Sequence, residues 1–264
     1  MATATTTSQT RNFLHEVHRA RSRVLLLDYD GTIAPFAIDR DRAVPYPQVV
    51  SLLRQIVNDC DTRVALISGR PARQVALLSG LNPHPEIWGS HGLEHLRTSG
   101  EYQVEGIESS AAKILNEAAA WLEHEGLGNC TEHKHGAVAV HWRGLAQREA
   151  EEARTCAYRV FSALTGLSEL SLCEFDGGLE LQARRGSKAH AVRTVLSEIG
   201  DDVPVAYLGD DLTDEYAFRA LAGRGLTILV RPTYRFTAAQ VWLCPPQDLT
   251  QFLNDWIRAC GGSQ

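Results

Sequence analysis

The sequence predicts an α/β protein built on a doubly wound parallel sheet, with a smaller α+β unit inserted between the two halves of that sheet. Apolar runs of strand length recur along the chain, and segments with helical spacing separate several of them. This alternation is typical of a parallel sheet with crossover helices. The predicted strands are Val24–Leu27, Val64–Ile67, Val205–Leu208, Leu226–Val230 and Val241–Leu243.

Two helices are predicted around the second of these strands. Apolar residues at helical intervals, among them Val49, Leu53 and Ile56, predict a helix between the first two strands. Pro71 follows the second strand, and proline is favoured in the first turn of a helix. The next helix is therefore expected to begin there.

The order of predicted strands and helices changes between about residue 106 and about residue 184. Helices are predicted at Ala111–Glu123 and Gln147–Leu164, beside the strand-like pieces "AVAVHW", "ELSLCEF" and "LELQAR". The tripeptide Asp176-Gly177-Gly178 predicts a hairpin turn between the last two pieces. We interpret this β-α-β-α-β-β block as a separate inserted domain. The expected division is a flexible tail over residues 1–20, a core over residues 21–106 and 185–264, and the inserted domain over residues 107–184.

The composition is that of an ordinary globular protein, with 44% hydrophobic and 22% charged residues. A net charge of −6 leaves no basic field to attract nucleic acid, which excludes that class of partner. Residues 1–10 lack the features of a secretory signal, and no apolar run approaches about eighteen residues, so no membrane partner is expected. The widely spaced cysteines indicate reduced, buried thiols in a cytoplasmic protein. They are Cys60, Cys130, Cys156, Cys173, Cys244 and Cys260.

Four short polar motifs lie at the ends of predicted strands or just beyond them. They are "DYDGT" (28–32), "SGR" (68–70), "RRGSK" (184–188) and "GDDLTDE" (209–215). In open α/β sheets, ligands bind outside the carboxyl ends of the strands, so Asp28, Ser68 and Asp210 are expected to converge. Residues i and i+2 of a strand point to the same side, so Asp28 and Asp30 are expected to face one ligand.

The charges of these motifs indicate a metal-dependent phosphoryl-transfer site. Carboxylates gathered in one place repel each other, and a hard cation such as Mg²⁺, which prefers oxygen ligands, removes that conflict. Lys188, the Ser68 hydroxyl and nearby backbone N–H groups would then contact phosphoryl oxygens. Each motif alone has an ordinary explanation as a turn or a helix start, but all four in this order are far more specific.

The motif set resembles that of the haloacid dehalogenase-type phosphatase superfamily: Asp-x-Asp-Gly-Thr, then Ser, then Lys, then Gly-Asp-Asp-x-x-Asp. The blocks "LLLDYDGT", "ISGR", "GSHGLE", "EHKHGAVAVHWR" and "YLGDDLTDEYAF" are similar to those of trehalose-6-phosphate phosphatases, and the likeness runs from about residue 22 to about residue 256. One block departs from the pattern. Where the family often reads Arg-Pro-x-Gly-x-x-Lys-Gly, this chain has Arg185-Gly186-Ser187-Lys188-Ala189 after Arg184, so the reach of Lys188 has to be tested.

The resemblance implies a role for each core residue. Asp28 would be the nucleophile that forms an aspartyl-phosphate, and Asp30 the acid that protonates the departing sugar oxygen and then activates water. Mg²⁺ would be held by Asp28, the main-chain carbonyl of Asp30, and Asp210. Asp211 and Asp214 would lie in or near the second coordination sphere. The remaining catalytic residues implied by the family are Ser68 and Lys188.

The resemblance also implies that the inserted domain is a cap that selects the substrate. Polar residues in or beside its predicted strands match the family's "E-x-K…H-x-R" and "E-x-R" patterns. Any one of these cap residues has an equal alternative as part of a solvated sheet face. The expected substrate-binding set, including residues of the neighbouring core, is Ser68, Arg70, His91, Glu132, Lys134, His141, Arg143 and Glu180.

Together these features predict a Mg²⁺-dependent enzyme that hydrolyses trehalose 6-phosphate to trehalose and phosphate, with a trehalose-6-phosphate synthase as candidate partner. Three alternatives remain open. The first is another phosphosugar phosphatase, acting on sucrose 6-phosphate or a glycosyl-phosphoglycerate, and the second is a phosphohexomutase that depends on a bisphosphate activator. The third, an inactive sugar-phosphate sensor, is disfavoured because Asp28, Asp30, Lys188 and Asp210 are all present.

Overall fold

The computed structural model describes residues 8–37, 42–165 and 169–261, which form two β-sheets with helices packed against them. The helices are α1 (Ser8–Arg19), α2 (Pro47–Asp59), α3 (Ala72–Ser79), α4 (Ser109–His124), α5 (Gln147–Thr165), α6 (Lys188–Ser197), α7 (Asp214–Leu221) and α8 (Gln247–Ala259). The strands are β1 (Arg23–Leu27), β2 (Thr62–Ile67), β3 (Glu86–Gly89), β4 (Glu94–Leu96), β5 (Tyr102–Val104), β6 (Thr131–Lys134), β7 (Ala137–His141), β8 (Leu170–Phe175), β9 (Gly178–Ala183), β10 (Val205–Gly209), β11 (Leu226–Val230) and β12 (Val241–Leu243).

The larger sheet has the strand order β12-β11-β10-β1-β2-β3-β4-β5. The strands from β12 to β3 pair in parallel, and β4 and β5 extend the sheet as antiparallel strands. This arrangement confirms the predicted α/β fold with a parallel sheet. Sequence reasoning missed β4 and β5 because three-residue strands are too short to show a hydrophobic period.

Helices cover both faces of the larger sheet, which explains why its central strands are apolar throughout. In β1, Leu25 and Leu27 pack with α1, α2, α3 and α8. Val24 and Leu26 of the same strand pack with α6 and α7 on the opposite face. A strand buried on both faces has no solvent side, so the polar alternation of a surface strand disappears.

The N-terminal segment differs from the expected flexible tail over residues 1–20. Residues 1–7 lie outside the described residues, but Ser8–Arg19 is the helix α1. Phe13 and Val17, one helical turn apart, are buried in the main hydrophobic core. The Phe13 ring lies 6.0 Å from the Trp256 ring of α8, measured between ring centroids. The expectation is therefore wrong for α1, because it rested on the polar composition of the first ten residues rather than on helical spacing.

The inserted unit, defined here as α4 through β9, has its own antiparallel sheet in the order β6-β7-β9-β8 and its own apolar cluster beneath α4 and α5. Its element order is α-β-β-α-β-β, which differs from the predicted β-α-β-α-β-β. The strand β6 reads "TEHK" and has no apolar signal, and β5, the strand before α4, belongs to the larger sheet. The hairpin turn between β8 and β9 lies where predicted. The domain boundaries near residues 106 and 184 stay a prediction.

The helices and cysteines bear on two further expectations from the composition. No helix within the described ranges has the length and apolarity needed to cross a membrane. All six cysteines are unpaired, as expected, but only Cys60 and Cys173 are buried. The expectation of burial is wrong for the others, several of which lie at the ends of helices or strands, where neighbours pack on one side only. These partly exposed thiols are Cys130, Cys156, Cys244 and Cys260.

Three neighbouring strands of the larger sheet end at one edge, namely β1 at Leu27, β2 at Ile67 and β10 at Gly209. Because the strands are parallel, the residues that follow them lie next to each other. The inserted unit contacts the larger sheet at this edge, since His91 beside β3 pairs with Glu180 of β9. A cavity lies between the two sheets.

Candidate active site

A buried charged cluster lies on the floor of the cavity. Asp28 and Asp210 directly follow β1 and β10, Lys188 begins α6, and Asp214 begins α7. The Lys188 ammonium donates to Oδ1 of Asp28 at 2.6 Å and to Oδ1 of Asp214 at 2.7 Å. Even Lys188, the most exposed of the four, is only 4% exposed. One cation thus faces three buried carboxylates, which leaves an excess of negative charge.

Lys188 reaches the cluster although the block around it departs from the family pattern. Ser187 has extended backbone, with φ of −138°, and α6 begins at the next residue, which aims Lys188 at Asp28. Burial alone would lower the pKa of Lys188, but the adjacent Asp214 and Asp28 carboxylates raise it above its usual value. The lysine therefore stays charged, and the proline and glycine of the family pattern are not needed to place it.

Asp214 organises the cluster because each of its two carboxylate oxygens accepts two hydrogen bonds. Its Oδ1 accepts from Lys188 and, at 2.6 Å, from the Tyr207 hydroxyl. Its Oδ2 accepts from the backbone N–H groups of Asp210 at 3.0 Å and Asp211 at 2.9 Å. With these four partners, Asp214 holds the loop after β10 in place, consistent with a position outside the first coordination sphere of a metal.

Asp210 differs from Asp214, because both of its side-chain oxygens are buried and neither has a hydrogen-bond partner among the residues that the structure describes. Burial, together with the charges of Asp28 and Asp214, raises the pKa of Asp210 well above its usual value. Ligand oxygens of Asp28, Asp210 and Asp214 lie within 4.8 Å of one another. Gly31 has a φ of +83°, and a Cβ there would fall on the Asp210 carboxylate, so glycine leaves this space open. A hard cation with oxygen ligands fits these residues, and Mg²⁺ is such a cation.

Asp28 lies between that space and Lys188. Its Oδ1 is held by Lys188, and its Oδ2 accepts from the Thr32 hydroxyl at 3.2 Å. Burial and the nearby Asp214 raise the pKa of Asp28 to about 7, although Lys188 acts in the opposite direction. A carboxylate that is fixed in orientation and poorly solvated has the properties of a nucleophile.

Asp30 is held by Arg70 in a bidentate ion pair, with both nitrogen–oxygen distances at 2.7 Å. Asp28 and Asp30 line the same cavity, but they do not share a strand face as predicted, because β1 already ends at Leu27 and Asp30 lies in the following turn. Arg70 is 2% exposed, and its Nη1 is buried without a partner. Its backbone N–H donates to the Ser68 hydroxyl oxygen at 3.1 Å. That bond leaves the Ser68 hydroxyl hydrogen free to donate to another oxygen.

The roof of the cavity carries charged residues of the inserted unit. Glu180 of β9 is buried and pairs with Lys134 of β6. His91 Nε2 lies 3.0 Å from the second Glu180 oxygen, an ion-pair distance without the angle of a directed hydrogen bond. Burial alone would raise the pKa of Glu180, but Lys134 and then His91 lower it to about 2. The neighbouring pair joins His141 and Glu132 at 3.0 Å.

Aromatic residues complete the cavity wall and were missed by sequence reasoning. Phe36, on the loop that follows the "DYDGT" motif, carries the Arg143 guanidinium 4.0 Å from its ring centroid. Phe175 packs against the His141 ring at 5.1 Å between centroids. Phe36 lies in a loop and Phe175 at the end of β8, and neither position has a spacing signal for these contacts, so only the folded chain reveals them.

The structure brings nearly all the predicted site residues to one cavity. Glu132 and Asp214 do not line it but contact residues that do. The roles assigned to these residues remain predictions. The predicted residues that line the cavity are Asp28, Asp30, Ser68, Arg70, His91, Lys134, His141, Arg143, Glu180, Lys188, Asp210 and Asp211.

The fold is that of the haloacid dehalogenase-like class of proteins. One such hydrolase from B. subtilis superposes with a TM-score of 0.62 at 14% identity, covering 88% of this chain and 99% of that one. The C-terminal domain of trehalose-6-phosphate phosphatase from C. albicans superposes with a TM-score of 0.78 at 19% identity, covering 96% and 97%. At these identities the likeness shows the fold alone.

The family is shown by sequence. The family model described as trehalose-phosphatase matches residues 26–237, and the chain belongs to this family. A trehalose-phosphate phosphatase of Mycobacterium marinum is 33% identical over 243 residues, covering 86% of this chain. The corresponding protein of Mycobacterium tuberculosis strain H37Rv is 32% identical over 255 residues, covering 90% of this chain. The chain spans only about 60% of the length of the first of these relatives and 62% of the second.

Proposed function

We propose that this protein is a Mg²⁺-dependent phosphatase that hydrolyses trehalose 6-phosphate to trehalose and phosphate through an aspartyl-phosphate on Asp28. The observation that carries the proposal is the Asp28–Lys188–Asp214 cluster beside the unpartnered Asp210 carboxylate, on the floor of a cavity roofed by charged groups. Membership of the trehalose-phosphatase family supports the choice of substrate.

The floor supplies the groups that phosphoryl transfer needs. Mg²⁺, held by the carboxylates of Asp28 and Asp210 and the main-chain carbonyl of Asp30, would neutralise negative charge on the phosphoryl group. An Asp28 oxygen attacks phosphorus, and the bond from phosphorus to the sugar oxygen breaks. Lys188 keeps Asp28 oriented and offers positive charge to the phosphoryl oxygens, and the free hydrogen of the Ser68 hydroxyl donates to one of them.

Asp30 acts first as general acid and then as general base in this proposal. It gives a proton to the departing sugar oxygen, and it later takes one from the water that hydrolyses the aspartyl-phosphate. Arg70 fixes the orientation of the Asp30 carboxylate through both oxygens. One of these two contacts has to open whenever Asp30 exchanges a proton with the substrate, so Arg70 controls when Asp30 is available.

The roof selects the sugar in this proposal. Glu180, Lys134 and His91 are almost fully buried and offer both hydrogen-bond acceptors and donors to the cavity. Sugar hydroxyls both donate and accept, so they suit such a surface. A site built to bind hydroxyls rejects analogues that leave its buried polar groups unpaired. We further propose that the enzyme acts in the cytoplasm on the product of a trehalose-6-phosphate synthase.

The testing experiment measures phosphate release from trehalose 6-phosphate, sucrose 6-phosphate, a glycosyl-phosphoglycerate and glucose 6-phosphate, with and without Mg²⁺. A Mg²⁺-dependent preference for trehalose 6-phosphate of on the order of a hundredfold, or about 2.7 kcal/mol, supports the proposal. Preference for another member of the panel keeps the chemistry and rejects the substrate. Isomerisation of glucose 6-phosphate to glucose 1-phosphate, seen only when a hexose bisphosphate activator is added, indicates the mutase. Binding without turnover indicates the sensor.

Asp28→Asn is the matched control for this assay. It removes the nucleophile while keeping the size of the side chain, so turnover and phosphoenzyme formation are both expected to disappear. Retained turnover in this variant would reject Asp28 as the nucleophile, whichever sugar phosphate is used.

A further inference from the structure

The tip of the β8–β9 hairpin joins the inserted unit to the larger sheet. The backbone N–H of Asp176 donates to Oδ2 of Asp211 at 2.9 Å, and the Asp176 carboxylate accepts from Arg231 at 3.1 Å. Asp211 lies in the loop after β10, and Arg231 directly follows β11, so both partners belong to the larger sheet. One residue of the inserted unit thus makes two polar contacts across the boundary.

A second contact across the same boundary passes through Arg143, which lies just after β7. Its guanidinium stacks on Phe36 of the larger-sheet unit and also donates to the main-chain carbonyl of Asp176. Gly177 has a φ of +83°, and a Cβ there would lie 2.9 Å from the Arg143 side chain. Glycine at the hairpin tip therefore provides both the turn and the room that Arg143 needs.

These contacts form a continuous chain along one wall of the cavity. It runs from Phe36 through Arg143 to Asp176, and from there to Arg231 and Asp211. Asp211 is adjacent in sequence to Asp210, so this series of contacts ends beside the candidate metal site. The Asp176 and Arg231 side chains are 44% and 23% exposed, respectively. Ion pairs this exposed contribute little to folding stability.

We propose that Asp176 and Arg231 are positioning residues that hold the inserted unit closed over Asp28 during the reaction. The inference rests on the proposed function, since phosphoryl transfer to Asp28 requires water to be excluded from the cavity. Contacts that add little to folding stability suit this task, because the same boundary must open for the sugar to enter and leave. The main-chain carbonyl of Asp176 also holds Arg143 at the cavity wall, so a hairpin tip that moves away takes this wall contact with it.

The experiment compares Asp176→Ala, Arg231→Met and the double variant with the unaltered protein. The control is Arg154→Met, which removes an exposed ion pair with Glu174, at 3.6 Å, that lies entirely within the inserted unit. kcat and KM are measured with trehalose 6-phosphate and with p-nitrophenyl phosphate, a small aryl ester that does not need the roof. Hydrogen–deuterium exchange is followed at residues 172–178 and 30–37 in Mg²⁺ with orthovanadate as a phosphate mimic.

Each single variant is expected to lower kcat/KM for trehalose 6-phosphate by about tenfold and that for the aryl ester by less than about twofold, with an unchanged melting temperature. The double variant is expected to match Arg231→Met, which removes the ion pair and also the contact of Arg231 with the main-chain carbonyl of Asp210 at 3.4 Å, because Asp176→Ala then has no ion pair with Arg231 left to remove. Exchange at the hairpin tip should rise in all three variants and stay unchanged in Arg154→Met. Equal losses on both substrates, additive losses, or unchanged exchange would each overturn the inference.

The exchange readout separates this inference from the proposed function. If the unaltered protein does not hydrolyse trehalose 6-phosphate but exchange at the hairpin tip rises in the Asp176 and Arg231 variants, the substrate is wrong and the closure contacts stand. If the unaltered protein is active and the variants match it in rate and exchange, the closure contacts are wrong and the function stands.

Discussion

Replacing Asp210 with asparagine should make the metal-free protein more stable while abolishing its response to Mg²⁺. Both Asp210 oxygens are buried without a partner, and burial together with Asp28 and Asp214 raises the pKa of this carboxyl. A carboxyl whose pKa is raised in the folded state binds protons more tightly there than in the unfolded chain. It therefore lowers stability as the pH rises above its usual value. An asparagine side chain at this position would carry no charge and would remove this cost.

The size of the effect follows from the cost of an unsatisfied buried group, about 1–3 kcal/mol and more for a charge. Asparagine keeps some of the polar cost, so we expect a gain of about 1–3 kcal/mol in the free energy of unfolding at pH 7–8 without metal. For domains of about 150–250 residues, each kcal/mol corresponds to about 2–4 °C in Tm. The gain should shrink as the pH falls toward the usual pKa of an aspartate, because a carboxyl whose pKa is raised in the folded state lowers stability only above that usual value.

The assay is thermal unfolding in EDTA and in a Mg²⁺ series, combined with phosphate release. The unaltered protein should gain Tm with Mg²⁺, as expected for a cation that binds only the folded state, whereas Asp210→Asn should not respond. Asp201→Asn serves as the control, because Asp201 is fully exposed and its removal should change neither Tm nor activity. A lower Tm for Asp210→Asn in EDTA would refute the cost assigned to the buried Asp210 carboxyl, and a preserved Mg²⁺ response would refute the assignment of Asp210 as a metal ligand.

Three further predictions follow from other contacts. The pKa of Asp28 is raised to about 7, so at limiting Mg²⁺ kcat/KM should fall as the pH drops through about 7. Saturating Mg²⁺ should move this fall to lower pH, because the cation and the proton compete for the same carboxylate. A limb that stays in place in pH–rate profiles at two Mg²⁺ concentrations would contradict this. Glu180→Gln weakens the pairing with Lys134, so KM for trehalose 6-phosphate should rise at least tenfold, whereas KM for p-nitrophenyl phosphate should change little. Equal effects on both substrates would refute a sugar-binding role for Glu180. Phe13→Ala should lower the free energy of unfolding by about 3–5 kcal/mol without changing KM, because the ring is buried against Trp256. An unchanged midpoint of urea unfolding would show that α1 does not pack against α8.

Features that depend on local pattern were predictable from the sequence. Within the larger sheet, β1, β2, β10, β11 and β12 were recognised from their apolar runs, since burial on both faces makes its central strands apolar. The carboxyl ends of these strands then located Asp28, Ser68 and Asp210. Elements that lack an apolar pattern or depend on a distant partner were missed. The polar strand β6 has no apolar period, although its partner β7 follows it closely in the sequence. Helix α1 is held by its packing on α8, which lies near the other end of the chain.

The tertiary structure alone decided how the charges of the site pair. Asp210 and Asp214 are the same residue type four positions apart, and the sequence motif treats them alike. In the folded chain the Asp214 carboxylate accepts four hydrogen bonds, whereas the Asp210 carboxylate accepts none from the residues that the structure describes. The bidentate pair of Arg70 with Asp30 joins residues 40 positions apart. Such pairing depends on side-chain direction at the ends of different strands, because electrostatic energy follows distance in space rather than along the chain.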